Sequence, residues 1–401
     1  MLQMLIALNL VLTGCTGKDD GSSKDSGAPD DTTGIDTTGI DTVDTGDSNQ
    51  SEPIELSSAA DAFGVPVGHQ TIILDSVTLE VWHPTSDEFA NAGPQRMDFE
   101  SFIPDDFISL VTGFELPDIY GNAIKDTPIR NTQKLLPVVL FSHGFGGMRI
   151  QSFSLAEHLA SRGYIVVAPD HPGRMLTDVL PCLFLPPLDG CDLSGFGSDP
   201  GPSGLETALK WVDEASLSGP FMNIIDPNRI ATIGHSAGAN SVTTFTENEE
   251  RVLATIPMAG GSVPNRDVPT LRMDGSCDGF VAAASPSSIE GRPLASFIML
   301  EGAGHLAFSD LCSLDIDGFS SQFLDDRTDL NTALYPQLRG LGTDGCQNAT
   351  PRVEDVACTD RFMDLEQADA ILKYYVTVFL DDVLKNIDSS DGRTMSGAAR
   401  Y

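Results

Sequence analysis

Positive charge is scarce in this sequence: 23 Lys and Arg stand against 58 Asp and Glu, a formal net charge of −35 over 401 residues. Such a chain repels phosphate backbones, which excludes nucleic acid as a partner. Strongly anionic substrates are disfavoured too, unless a pocket is locally basic. So acidic a surface reads as solubility in a salty or extracellular setting. Long apolar runs are also missing. The mostly apolar stretch Met1 to Leu12 is too short to span a bilayer as a helix. No Cys-x-x-Cys spacing occurs, so no thiolate zinc site is legible. What is present is a 41% hydrophobic complement, ample for one large soluble domain or two small ones.

The N-terminus reads as an address. Residues 1–15 pair the apolar run with Leu12-Thr13-Gly14-Cys15, which resembles the lipobox of bacterial lipoproteins, although no Lys or Arg precedes the run. The resemblance implies lipidation at Cys15, export and membrane attachment through that anchor. Thr16, where an Asp would signal inner-membrane retention, points to the outer membrane or cell surface. Residues 16–53 repeat Asp-Thr-Thr-Gly-Ile, carry no aromatics and cannot build a core. The Asp spacing lacks the register and closing Glu of an EF-hand loop, so a self-repelling acidic linker is expected. Residues 54–401 are then expected to form one domain.

Within that domain the informative stretch is Arg229 to Gly238, an apolar run entering Gly234-His235-Ser236-Ala237-Gly238. Two glycines permit a sharp strand-to-helix turn that lifts the Ser236 hydroxyl above the end of a sheet. The elements around it alternate. Strands are expected at Gln70–Leu74, Thr78–His83, Leu135–Phe141 and Tyr164–Ala168, and again at Ile230–Ile233, Ala254–Met258, Pro269–Met273 and Ser296–Leu300. Helical spacing covers 152–162, ending at Gly163, then 203–216, 237–247 and 365–384. Strand, helix, strand in so short a span is a right-handed βαβ unit. The expectation is a doubly wound, mostly parallel α/β sheet with loop insertions, whose ligands bind at the carboxyl ends of the strands.

A serine hydroxyl is a poor nucleophile until a base takes its proton and a carboxylate orients that base. His305 is the histidine that follows a strand downstream of both Ser236 and an acid, in the order Ser, Asp, His. For the acid, Asp274 abuts its strand, whereas Asp278 has the loop length to reach an imidazole and is favoured. His143 and His235 belong to glycine loops and read as structural, while His171 is a candidate pocket lining. Backbone N–H groups of Ala237, at a helix start, and Phe145, in His143-Gly-Phe-Gly-Gly147, are the candidate oxyanion donors.

From about Thr78 to Val383 these residues resemble the α/β-hydrolase superfamily, in particular its dienelactone hydrolase, platelet-activating-factor acetylhydrolase and cutinase-like polyester hydrolase branches. Val81-Trp82-His83-Pro84, the Val139–Gly147 loop and His305-Leu-Ala-Phe-Ser-Asp310 are similar to acetylhydrolase motifs. The acetylhydrolases place their acid after the strand ending at Met258-Ala259-Gly260, where this chain has no carboxylate. The arrangement from Pro269 to Asp278 resembles the cutinase-like and dienelactone groups instead, although a dienelactone hydrolase would carry a Cys nucleophile. The resemblance implies a monomeric serine esterase that cleaves small or polymeric carboxylic esters through an acyl-enzyme, without metal or cofactor. A lipase or phospholipase of the acetylhydrolase type is the alternative within enzymes. A non-catalytic surface-binding lipoprotein on the same scaffold is the alternative outside them.

Beyond Cys15 the cysteines number six, which in an exported chain reads as disulfides. Fifteen pairings are open. Neighbours in order give Cys182–Cys191, Cys277–Cys312 and Cys346–Cys358, and the cutinase-like group has a bridge in a place comparable to the middle one. Residues 174–202 and 306–360 are insertions, each a candidate cap over the pocket or a plain packing loop. Phe145 and Phe184 are candidate apolar contacts to substrate.

Overall fold

Alternate residues of Leu136–Ser142 serve two separate cores, and this decides the layering. Val139 and Phe141 pack with Leu155, Leu159, Ile371 and Tyr374 on one face. Val138 and Leu140 pack with Leu205, Ala208, Val212 and Phe245 on the other. A strand buried on both faces must be apolar throughout, and helices must cover both sides.

The computed structural model describes residues 60, 62–103, 118–184, 187–192, 203–313, 346 and 362–401. In chain order they form β1 (Val67–Ile73), β2 (Thr78–Pro84), β3 (Gln95–Arg96), β4 (Tyr120–Gly121), β5 (Ile124–Lys125) and β6 (Leu136–Ser142). There follow α1 (Phe153–Ser161), β7 (Ile165–Pro169), α2 (Leu176–Val179), α3 (Ser203–Leu217), β8 (Ile225–His235) and α4 (Ala237–Asn248). The rest comprises β9 (Val252–Met258), β10 (Thr270–Gly275), β11 (Ala295–Leu300), α5 (Leu365–Leu380) and β12 (Ala398–Arg400). The main sheet has the order β12-β11-β10-β9-β8-β6-β7-β2-β1-β5. From β7 through β11 neighbouring strands are parallel, whereas β2 pairs antiparallel with β7, β1 with β2, and β12 with β11.

This is the doubly wound, mostly parallel α/β architecture that the alternation of elements predicts. The differences lie at the edges. The strands β5 and β12 are too short to carry a periodic signal. The α-helical hydrogen bonding of α5 ends at Leu380, and Asp381–Lys385 continue as a π turn. There the buried Asp381 carboxylate accepts from Tyr164 Oη at 2.8 Å and Lys385 Nζ at 2.9 Å. The expected leader and linker (1–53) lie outside the described residues, as does most of 306–360.

Cys182 pairs with Cys191, closing the insertion around α2. The middle pairing is corrected: Cys277 bonds Cys346, with Cα atoms 4.8 Å apart, which removes both Cys277–Cys312 and Cys346–Cys358. The turn carrying Cys312 is held elsewhere. Asp310 N–H donates to the Gln151 carbonyl at 2.9 Å, and the Asp310 carboxylate accepts from Ser154 N–H at 2.8 Å, at the start of α1. Cys312 is itself disulfide-bonded, and Cys358 lies outside the described residues.

The Cys277–Cys346 bridge closes a separation of 69 residues and Cys182–Cys191 one of 9. Loop-closure entropy assigns about 4 kcal/mol to the first and about 3 kcal/mol to the second. The Cys277→Ser/Cys346→Ser variant is expected to lower Tm by on the order of 10 °C, and more than Cys182→Ser/Cys191→Ser does. Equal melting curves for wild type and both variants would contradict this.

All seven histidines are buried, and burial keeps four of them neutral. Burial, first of all, lowers His83 to about 4, His143 and His235 to about 3, and His171 well below its ordinary value. The unfolded chain takes up these protons near pH 6.5 and the folded chain only far below it. The histidines' share of stability is therefore level above pH 6.5 and falls as pH drops through that window, by up to about 1.4 kcal/mol per pH unit for each. Urea midpoints should decline steeply between pH 6.5 and 4.5; a constant midpoint would contradict the buried, neutral state.

Candidate active site

Between the last residue of β8 and the first of α4 stands Ser236 alone, with φ 56° and ψ −117°. A non-glycine residue in that region stores about 1–3 kcal/mol of strain and persists only where its surroundings enforce it. They do so here by hydrogen bonds and by close approach. Ser236 N–H donates to the Met258 carbonyl of β9 at 2.9 Å, and Ala239 N–H returns to the Ser236 carbonyl at 3.0 Å. A Cβ on Gly234 would overlap the Gly238 carbonyl, and one on Gly238 would overlap the Ser142 carbonyl of β6. Both glycines are required by the space, since β6, β8 and the start of α4 nearly touch.

Ser236 Oγ lies 3.0 Å from His305 Nε2, and His305 Nδ1 lies 2.7 Å from Asp278 Oδ2. Asp278 and His305 are buried. The other carboxylate oxygen, Oδ1, accepts N–H bonds from Phe280 and Val281, both at 2.8 Å, which aims Oδ2 at the imidazole. An ionised carboxylate only accepts, so Nδ1 carries the proton and Nε2 is left to accept from the serine hydroxyl. Asp274 is engaged elsewhere, with Oδ2 taking bonds from Arg272 Nε at 2.9 Å and Ala284 N–H at 2.8 Å. The rings of Phe280 and His235 flank His305, with centroids at 5.1 and 4.8 Å.

Ala237 opens α4, so its N–H belongs to the first turn, whose donors have no intrahelical acceptor. Phe145 sits in a loop whose adjoining amides are committed: Gly144 N–H to Gln151 Oε1 at 3.1 Å and Gly146 N–H to the Arg174 carbonyl at 2.7 Å. His143 Nδ1–H donates to the Gly144 carbonyl, 2.7 Å away. His171 is packed in the interior. It is 1% exposed, with Nε2 at 2.9 Å from Ser142 Oγ. Phe184 is core, at 2% exposure.

Three residues that the sequence does not single out belong to the framework: Gln151, Arg174 and Ser241. Arg174 is buried, and donates to Ser142 Oγ at 2.8 Å and Ser241 Oγ at 2.7 Å, which ties β6 to α4 beneath the turn. No motif marks them, because each meets partners 32 to 84 residues away. A cavity of about 210 Å³ adjoins the turn after His305, lined by Ser154, Phe308, Ser309, Asp310 and Asp369 among others, with Ser236 not in its wall. Among the described residues no cluster of His, Cys, Asp and Glu could hold a metal ion, and no helix is long and apolar enough to cross a membrane.

The family described as alpha/beta hydrolase fold matches residues 137–286, and platelet-activating factor acetylhydrolase, isoform II, matches residues 75–176. A relative from Arthroderma benhamiae, named probable 1-alkyl-2-acetylglycerophosphocholine esterase, is 27% identical over 126 residues. That match covers 31% of this chain and 32% of the relative, so the chain spans about a third of the relative's length. The solved ferulic acid esterase from Streptomyces cinnamoneus superposes with a TM-score of 0.53 at 20% identity, covering 84% of this chain and 96% of that one. At that identity the likeness is one of fold. With two hydrolase families matched across residues 75–286 on this sheet, the chain belongs to the α/β-hydrolase superfamily.

Proposed function

We propose that the protein hydrolyses carboxylic esters through a serine acyl-enzyme. The observation that carries this is the hydrogen-bonded chain from Ser236 Oγ through His305 to Asp278, at a strained turn that exposes the hydroxyl above the sheet. Ser236 Oγ attacks the acyl carbon while His305 Nε2 takes its proton. Asp278 steadies the imidazolium that forms. The negative charge on the carbonyl oxygen is met by the N–H groups of Ala237 and Phe145, each such donor contributing about 3–4 kcal/mol to the transition state. His305 then returns the proton to the departing alcohol. Water, deprotonated by the same nitrogen, releases the acid and restores Ser236.

A second reading narrows the ester to a short acyl group on a glycerophospholipid. The acetylhydrolase family match over residues 75–176 and the printed activity of the Arthroderma benhamiae relative favour it. The placement of the acid after β10, with Ala259 and Gly260 after β9, weighs against it. The Cys182–Cys191 and Cys277–Cys346 disulfides suit an oxidising compartment, and so the export expected from the sequence.

Ser236→Ala is expected to reduce kcat on p-nitrophenyl acetate by about 10⁶-fold at unchanged Tm, and Asp278→Asn by about 10⁴-fold. Turnover by Ser236→Ala at the wild-type rate would sink the assignment. Asp274→Asn makes the opposite separation. It breaks a buried ion pair with Arg272, so Tm should fall while kcat stays within about threefold of wild type, the imidazole being untouched. In a series of p-nitrophenyl acyl esters, the phospholipid reading expects acetyl to exceed octanoyl in kcat/KM, and the reverse order would reject it.

A further inference from the structure

Just ahead of α1, and 2% exposed, the Gln151 side chain has its orientation dictated by its neighbours. Gly144 N–H points at it from 3.1 Å and can be met only by the carbonyl oxygen, so Oε1 faces the Phe145 loop. The amide nitrogen then faces His235 Nδ1, at 2.9 Å, and an amide nitrogen only donates. Nδ1 must accept, and the one proton of the neutral ring sits on Nε2. That nitrogen lies 2.9 Å from the backbone carbonyl oxygen of His305. The donors therefore run one way, from Gly144 N–H to Gln151, to His235, to His305, and such chains strengthen each bond by polarisation.

Three segments far apart in sequence meet along this line: the loop with Phe145, the residue before Ser236, and His305 itself. We propose that Gln151 and His235 are positioning residues, a buried relay that locks the oxyanion loop, the Ser236 turn and the His305 turn into one register. The proposal rests on the ester hydrolase reading and deepens it. A relay of this kind matters because misplacement by about 1 Å costs on the order of 100-fold in rate. Water cannot replace these bonds, since the side chains of Gln151 and His235 are both buried. Burial, and secondarily the nearby His305, also keeps the His235 ring neutral, so it does not compete for the proton that His305 carries.

Three variants of the full-length protein test this on p-nitrophenyl acetate. Gln151→Met keeps the volume and removes both side-chain bonds. His235→Phe removes both on the other side, and His235→Gln restores a donor towards the His305 carbonyl. Gln151→Met and His235→Phe are expected to lose about 10- to 100-fold in kcat with KM within about threefold, and His235→Gln to recover most of the loss. Wild-type kcat in Gln151→Met, a loss confined to KM, or no recovery in His235→Gln would overturn the relay. Should His235→Phe fail to fold, Gln151→Met decides by the same kcat criterion. Ser236→Ala separates the two levels: if it is active the hydrolase reading fails, whereas if it is inactive beside a fully active Gln151→Met only the relay fails.

Discussion

A backbone conformation that L-residues avoid, at Ser236, is the constraint on which the rest of this structure depends. It exists because β6, β8, β9 and α4 come so close that Gly234 and Gly238 have no room for a side chain, and because Met258 and Ala239 hold the Ser236 amide and carbonyl. The large two-faced core supplies the rigidity. Val138 to Phe141 and Ile230 to Ile233 are buried on both sides, so the strands that deliver the turn cannot shift without opening one core or the other.

The polar layer above those strands follows a consistent logic. Hydrogen bonds there are directional and shielded, and the rings of His143, His171 and His235 stay neutral. Arg174 ties β6 to α4 through two serines, Gln151 and His235 tie the loops, and Asp278 is aimed by two backbone amides. Burial of His143, His171 and His235 lowers their proton affinity, and the Arg174 cation adds to this for the first two. His305 is then the ring beside Ser236 that faces a carboxylate, which suits it to carry a proton on behalf of the serine.

Much of this was legible in the sequence where local chemistry dominates. Apolar, β-branched runs ending in glycine-rich loops located β6 to β11, and strand-end positions singled out Ser236 and His305. Loop length favoured Asp278 over Asp274, and in the structure Asp274 sits beside Arg272 while Asp278 lies against the His305 ring. What could not be read depends on long-range paths. The partner of Cys277 lies 69 residues on, so the order of cysteines carries no information about it. Gln151 looks like any polar residue before a helix until His235, 84 residues later, is placed beside it.

The central claim is that Ser236 is a nucleophile activated by His305 and Asp278. The most direct measurement is the rate and site of labelling by a fluorophosphonate, read by mass spectrometry of tryptic peptides. A phosphonyl adduct is expected on the peptide Ile230–Arg251, at Ser236, forming at least about 100-fold more slowly in Asp278→Asn. An adduct on another residue, no adduct at all, or equal rates in the two proteins would contradict it.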